Sequence, residues 1–390
     1  MNRALSQLRL GVLGGGQLGR MLALVAHRLG VKTVVYAPDA RGPAGQAANE
    51  EIVGDYGDLE RVRRFAESVD LVTYEFESVP VRTAEWCSER VPVFPRPGVL
   101  SIAQDRLQEK TTLRTLGFPV TPFRSVESVS ELHAAREALG GDIVLKTVRS
   151  GYDGKGQRRL RPDDDATKAW SEHDRPVAIA EATIDFEREV SVVAGRGEDG
   201  SVAAYPVFEN LHANHVLDTT HCPAELPAKQ ADTALDIAKG VMTALDVRGV
   251  MCVEMFHLRD GSFLINELAP RPHNSGHLTV DAFNIGQFEL QLRAVCGFPI
   301  PSLRMKQPAA MVNLMGDLWR GGKEPNWSII LKDGRSFLHL YGKDEARAGR
   351  KMGHITVLAD TAPEAREAAQ RLRANLPCRV GGKRPVDVRT

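Results

Sequence analysis

The acidic residues with the clearest chemical use are Glu254 and Glu267. They lie in two strand-like runs, Val250 to Phe256 and Gly261 to Leu268, on either side of an Asp260-Gly261 pair suited to a two-residue hairpin loop. With that loop Arg259 pairs with Ser262, and counting outward sets Glu254 opposite Glu267. Both acids share faces with apolar neighbours: Cys252 and Phe256 on one strand, Phe263 and Ile265 on the other. Like charges opposed on a half-buried face destabilise a sheet unless one is protonated or a cation lies between them. Oxygen ligands, with Asn266 beside them, suit Mg2+ better than zinc. A slipped register that leaves one acid in solvent is the alternative.

A second group of residues could hold phosphate. Gly151-Tyr152-Asp153-Gly154-Lys155-Gly156-Gln157 follows a strand, Ile143 to Val148, that carries Lys146. Three glycines and a lysine suit either a plain hairpin tip or a mobile flap closing over polyphosphate. Lys146 alternates with Val144 and Val148, so it points to the same partly buried side and needs an anionic partner. Gly14, Gly16 and Gly19 fit G-x-G-x-x-G after a strand and before a helix, where free amides attract phosphate. The acid that would hold an NAD ribose is missing: the second strand ends Val34-Val35-Tyr36, and Asp39 lies beyond Pro38. A phosphate or substrate role without NAD is therefore preferred. No Walker A lysine is present. His212 with His215, or His273 with His277, form a weaker zinc alternative, and the polar loop Ala269 to His277 reads better as a lining for an anionic substrate.

These groups need several elements to position them. A strand from Leu8 to Leu13, a helix from Met21 to Leu29, and strands Lys32 to Tyr36 and Asp70 to Tyr74 predict a doubly wound parallel sheet. Ser101 to Leu116 reads as one helix with Ser101 and Gln104 as a capping box. From Asp142 onward, Asp-Gly pairs at 153, 199 and 260 punctuate strands, with a helix from Ala231 to Leu245, so an α+β region follows the α/β one. After Ile300 the pattern weakens, with a helix expected over Ala362 to Leu372. Fifty basic residues balance fifty acidic ones with no basic stripe, which argues against nucleic acid. Five scattered cysteines, no signal-peptide pattern and no long apolar run predict a cytoplasmic protein without disulfides or a membrane span.

Flap, strand lysine and paired glutamates after an N-terminal α/β unit resemble the ATP-grasp superfamily. Within it, Gly14 to Met21, Gly151 to Gln157, Asn266 to His277 and Gly349 to His354 resemble the N5-carboxyaminoimidazole ribonucleotide synthetases, the ATP-dependent carboxylases of purine synthesis. The resemblance implies three units: 1–117 Rossmann-like, 118–203 a small lid, and 204–390 a C-terminal ATP-grasp unit ending in a substrate-phosphate segment. It implies that ATP meets Arg106, Lys146, the flap, Glu181-Ala182-Thr183-Ile184, Glu189, His212, Asn266 and Glu267, with Mg2+ on Glu254 and Glu267. Aminoimidazole ribonucleotide would meet Gly16, Gln17, Leu18, Glu75, Tyr152 and Asp153, with its phosphate on Lys343 and Arg350. Arg271, His273 and Asn274 would line the bicarbonate end, and Asp153 and His273 are the candidates for handling the amine proton. It also implies a homodimer and a downstream mutase. A formate-using ATP-grasp transformylase, an NAD-dependent oxidoreductase and a non-catalytic nucleotide-binding regulator are the competing readings.

Overall fold

The computed structural model describes residues 5–151, 155–173, 175–319 and 322–376. Its first sheet is parallel, in the order Glu50–Val53, Lys32–Ala37, Arg9–Leu13, Leu71–Tyr74. Both faces are covered, as an all-parallel sheet requires. Leu10 and Val12 pack with Met21, Leu22 and Ala26 of the helix Gln17–Arg28, and with Phe288, Leu292 and Val295 of the helix Gln287–Cys296. Leu13 turns the other way, toward Tyr36, Phe65 and Val72. One face of this sheet is thus shared with a helix from much later in the chain.

A small antiparallel sheet follows, ordered Phe123–Val126, Ala178–Ala182, Ile143–Thr147, Gln157–Leu160. The third sheet is also antiparallel and has nine strands among the described residues. Its main path runs Phe263–Ala269, Gly249–Leu258, Phe186–Arg196, Phe208–Ala213, Val216–Cys222, Ala309–Met315, Lys351–Leu358, Ser336–Leu340. By sheet membership the small unit ends at Ala182, whereas the expected segment 118–203 also takes in Phe186–Arg196. Alternate residues of Gly249–Leu258 face two cores. Met251, Val253 and Met255 pack on the helix Ala228–Ala244, and Val250 and Cys252 face Leu290. Strands that the weak pattern after Ile300 concealed extend this sheet, and the terminal helix Ala362–Ala374 covers one of its faces, capped by Thr361.

Two local expectations need correction. The predicted helix over 101–116 is two helices, Pro97–Gln104 and Arg106–Thr115. Asp105 is extended, with φ −127° and ψ 103°, and its carboxylate accepts the Gln108 amide at 3.0 Å as an N-cap. Ser101 and Gln104 lie inside the first helix and form no capping box, and the Gln104 side chain donates to the Val79 carbonyl. The apolar periodicity runs through the break without glycine or proline, which is why the pattern hides it. The break begins a new helix at Arg106 beside the site.

The hairpin at Asp260 also differs in detail. Leu258 and Ser262 close it, enclosing three residues with Gly261 at φ +83°, and His257 pairs with Phe263. A bulge between Met255 and Glu254 then absorbs Asn266, restoring the expected pair Glu254–Glu267. The pair forms although the tip holds three residues rather than two, because the bulge restores the offset.

Replacing Asp105 by Ala should lower stability by about 1 kcal/mol, with Asp105→Ser restoring most of it. The urea midpoint checks this, and an unchanged midpoint in the Ala variant would remove the cap from the account.

Candidate active site

Three adjoining cavities run across the junction of the sheets. The first, about 620 Å³, is lined by Gly16, Gln17, Leu18, Glu75, Arg41, Lys343 and Arg350. It shares Gln17, Leu18 and Phe76 with a middle cavity of about 630 Å³, which adds Glu77, Gly151, Arg271, His273 and Asn274. Arg106, Glu267, His273 and Asn274 also belong to a third cavity, about 740 Å³, with Lys146, Gln157, Glu181, Ala182, Thr183, Ile184, Glu189, His212, Glu254 and Asn266. Lys155 and Gly156 line none of the three. Tyr152, Asp153 and Gly154 lie outside the described residues.

The glycine turn is already occupied from within. Glu75, just past the strand Leu71–Tyr74, turns its carboxylate onto the amides of Gly16 and Gly19, the latter at 2.6 Å. Burial raises the Glu75 pKa, while these two backbone bonds pull the other way. A carboxylate therefore sits where a dinucleotide-binding turn would hold pyrophosphate, a second obstacle to NAD besides the missing ribose acid.

In the third cavity the expected anionic partner of Lys146 is Glu181, at 2.8 Å. Lys110, almost fully buried, approaches the other oxygen of the same carboxylate at 3.6 Å. Burial would raise the Glu181 pKa, but Lys110 and Lys146 outweigh it and hold the carboxyl below its usual range. The Ala182 and Thr183 amides are engaged by the Pro122 and Asp142 carbonyls. One residue before Lys110, Glu109 accepts the Leu268 amide at 3.0 Å, and burial and Glu267 push its pKa up to about 8. Arg106, Glu109 and Lys110 share one helical face and bear together on the strand that carries Glu267.

The paired glutamates have different surroundings. Glu254 is buried and bonds His273 Nε2 at 2.9 Å; burial alone would raise its pKa, but His273 and then His212 hold it low, at about 2. His273 receives the converse effect. Burial pushes its pKa down, and neighbouring Cys252 and Glu254 push it up by more, to about 10. The Glu267 carboxylate is met more loosely, by Arg106 at 3.8 Å, and burial and Glu254 raise its pKa. The buried Asn266 Oδ1 has no hydrogen-bond partner among the described residues. A carboxylate lacking a close cation, its opposed partner and an orphaned amide oxygen make an oxygen donor set that fits a hard divalent cation.

The histidine pairs do not assemble as zinc ligands. His277 Nδ1 meets Gln287 Nε2 at 2.9 Å and its ring stacks on His354, while His212 pairs with Glu189 at 3.0 Å. Cys252, Glu254 and His273 do bring one ligand atom each within 4.8 Å of one another, but the imidazole nitrogens are engaged by Glu254 and Ser275.

Sequence reasoning missed Glu77, Glu109 and Lys110. The last two follow Arg106 at three- and four-residue spacing, a helical signal that could have found them. Glu77 binds Arg271 through both oxygens across 194 residues of chain, and no local pattern predicts such a contact.

Comparison with known proteins agrees with this architecture. Residues 8–104 match the ribonucleotide synthetase preATP-grasp domain, 111–288 the ATP-grasp domain, and 309–368 the phosphoribosylaminoimidazole carboxylase C-terminal domain. Sheets, lysine-bearing lid and paired acids make this an ATP-grasp protein. The N5-carboxyaminoimidazole ribonucleotide synthase of Brucella melitensis is 45% identical over 349 residues, covering 89% of this chain and 95% of that protein. This chain belongs to the N5-carboxyaminoimidazole ribonucleotide synthase family. The Thermus thermophilus synthetase superposes with a TM-score of 0.87 at 39% identity, covering 96% of this chain and all of that one. The Aspergillus clavatus synthase, crystallised with ADP and 5-aminoimidazole ribonucleotide, superposes with a TM-score of 0.86 at 34% identity, covering 95% and 98%.

Two outcomes test the charge network. Lys110→Met should cost about 3 kcal/mol, the low end for breaking a buried ion pair because Lys146 remains on Glu181; chemical denaturation measures it. Burial alone would raise the Glu77 pKa, but the Arg271 charge and hydrogen bonds hold it at about 2, below the ordinary value. The pair therefore contributes fully above about pH 4.3, the unfolded value, and is lost as pH falls toward 2. The stability gap between this protein and Glu77→Gln should be flat from pH 7 to 5 and shrink below 4. A gap that grows on acidification would contradict the pairing.

Proposed function

We propose that this protein is an ATP-dependent carbon–nitrogen ligase that carboxylates the amine of 5-aminoimidazole ribonucleotide with bicarbonate, yielding N5-carboxyaminoimidazole ribonucleotide, ADP and phosphate in purine biosynthesis. The observation that carries the proposal is the continuous line of three cavities. It supplies an acceptor end with Lys343 and Arg350, a middle with Arg271 and Asn274, and a nucleotide end with Lys146 and the paired glutamates.

In this reading the nucleotide occupies the third cavity, with Arg106 and Lys146 on its phosphates, Glu181 to Ile184 along the base, and Glu189 with His212 near the ribose. By the family resemblance the glycine-rich 151–157 segment would close over it and keep water from reactive intermediates. Glu254 and Glu267, with Asn266 beside them, would hold Mg2+. When bound, that ion supplies Lewis-acid stabilisation of charge on the transferring phosphoryl group.

A bicarbonate oxygen attacks the γ-phosphorus and ADP leaves, giving carboxyphosphate; loss of phosphate frees carbon dioxide beside the acceptor. The amine nitrogen then bonds that carbon and sheds a proton. His273 has both ring nitrogens engaged, Nε2 by Glu254 and Nδ1 by Ser275, so it is suited to holding Glu254 in place rather than to taking that proton. Asp153 remains the candidate base. Gly16, Gln17, Leu18, Glu75, Tyr152 and Asp153 hold the acceptor, and Lys343 and Arg350 its phosphate. We assign 1–117 as Rossmann-like and 118–203 and 204–390 as lid and C-terminal units, with the lid segment giving the strand Phe186–Arg196 to the third sheet, and place the protein in the cytoplasm as a homodimer feeding a carboxylate-moving mutase. No helix among the described residues is long and apolar enough to cross a membrane.

The test is ADP release from Mg2+-ATP with aminoimidazole ribonucleotide, with and without bicarbonate, and with formate in its place. Release should require Mg2+, rise with bicarbonate and not respond to formate, and Glu267→Gln should slow it at least about 100-fold. Release indifferent to bicarbonate would overturn the carboxylase assignment.

A further inference from the structure

Arg271 lies two residues past the end of the strand Phe263–Ala269 and projects into the middle cavity, where its guanidinium meets an acid from the other half of the molecule. Glu77 lies three residues past the strand Leu71–Tyr74 of the parallel sheet. Its two oxygens accept from Arg271 Nε and Nη2, the latter at 2.8 Å, so the carboxylate lies along one side edge of the guanidinium. Arg271 Nη1 donates to the Pro272 carbonyl at 3.1 Å. A guanidinium has five N–H donors. Three have partners among the described residues, which leaves one on each terminal nitrogen, the pair that can grip two oxygens of a planar anion at once. Next to it stands Asn274, whose side-chain oxygen and nitrogen are both buried and have no partner among the described residues.

We propose that Glu77 is a positioning residue for the carboxylation: by holding the side edge of Arg271 it aims the guanidinium's two remaining donors, beside the Asn274 amide, at a planar anion with two adjacent oxygens. This rests on the carboxylase reading and makes bicarbonate that anion. Without the Glu77 charge Arg271 has a competing attraction, because Glu267 also lies within electrostatic range of it. The Glu77–Arg271 pair is close to neutral as a unit, so it favours a singly charged anion over a phosphate carrying two charges or more. The carboxylate from the first sheet thus sets the geometry of a donor from the third, and the middle cavity takes the required shape only when those two units are seated together.

The experiment is steady-state ADP release with bicarbonate varied at saturating Mg2+-ATP and aminoimidazole ribonucleotide, for the unmodified protein, Glu77→Gln, Glu77→Asp, Arg271→Lys and the double variant Glu77→Gln/Arg271→Lys. Glu77→Gln should raise the bicarbonate KM about 10–100-fold, the usual effect of removing a partner that orients a functional group. The ATP KM should stay within about twofold. Glu77→Asp should fall between, and the double variant should be no worse than Arg271→Lys alone, since Glu77 acts only through the arginine. A mere staple between the two units would disturb ATP and bicarbonate constants alike. That result, an unchanged bicarbonate KM, or additive effects in the double variant would each overturn the positioning role. If Glu77→Gln does not fold, Glu77→Asp carries the same test, because it keeps the charge but shortens the reach. Unmodified protein whose turnover ignores bicarbonate would instead sink the carboxylase reading itself.

Discussion

Two carboxylates directly opposed on a half-buried strand pair are the constraint around which this site is arranged. Glu254 and Glu267 cannot both be charged there at little cost, so their surroundings supply opposite charge from several directions. Glu254 is answered by the His273 imidazolium from the loop after its own hairpin. Glu267 is left to Arg106 at a looser 3.8 Å, and the orphaned Asn266 oxygen stands beside it. This asymmetry is informative: Glu254 has a close charged partner on one oxygen, while Glu267 and its amide neighbour keep the larger share of acceptor capacity for something from outside.

The helix that begins at Arg106 is the main counterweight. Its first turn presents a cation to Glu267, and its next residues clamp the Leu268 amide through Glu109 and neutralise Glu181 through Lys110. Glu181 in turn holds Lys146 in the lid, so charge alternates from the paired acids through this helix into the small sheet. Removing one member leaves a neighbour uncompensated in a poorly solvated place, where the cost is high. The break at Asp105 places this sequence of charges, and a single continuous helix over 101–116 could not start a fresh first turn there.

Much of this was legible beforehand. Parallel strands, antiparallel hairpins and the opposition of Glu254 to Glu267 all follow from periodicity and turn residues, which are local. The hidden parts are those in which local signals cancel or distant residues meet. The three-residue hairpin tip and the bulge at Asn266 shift the register in opposite directions, so the acids face each other although neither feature shows in the local pattern. Asp105 caps a helix inside a pattern that never stops being helical. Glu75 filling the glycine turn and Glu77 gripping Arg271 depend on tertiary contact, and G-x-G-x-x-G looks the same whether its amides await a phosphate or already hold a carboxylate.

The self-filled glycine turn has a thermodynamic side. A turn whose amides wait for a ligand is organised by that ligand, and its stability rises with ligand concentration. Here the Gly16 and Gly19 amides have an acceptor within the fold itself, supplied by Glu75 just past the adjoining strand. The turn at the start of the opening helix therefore needs no ATP to complete it, and ATP bound in the third cavity has no direct hold on it. Hydrogen exchange at those amides should report the opening of the N-terminal unit itself, a clock for that unit that runs independently of how much ATP is in solution.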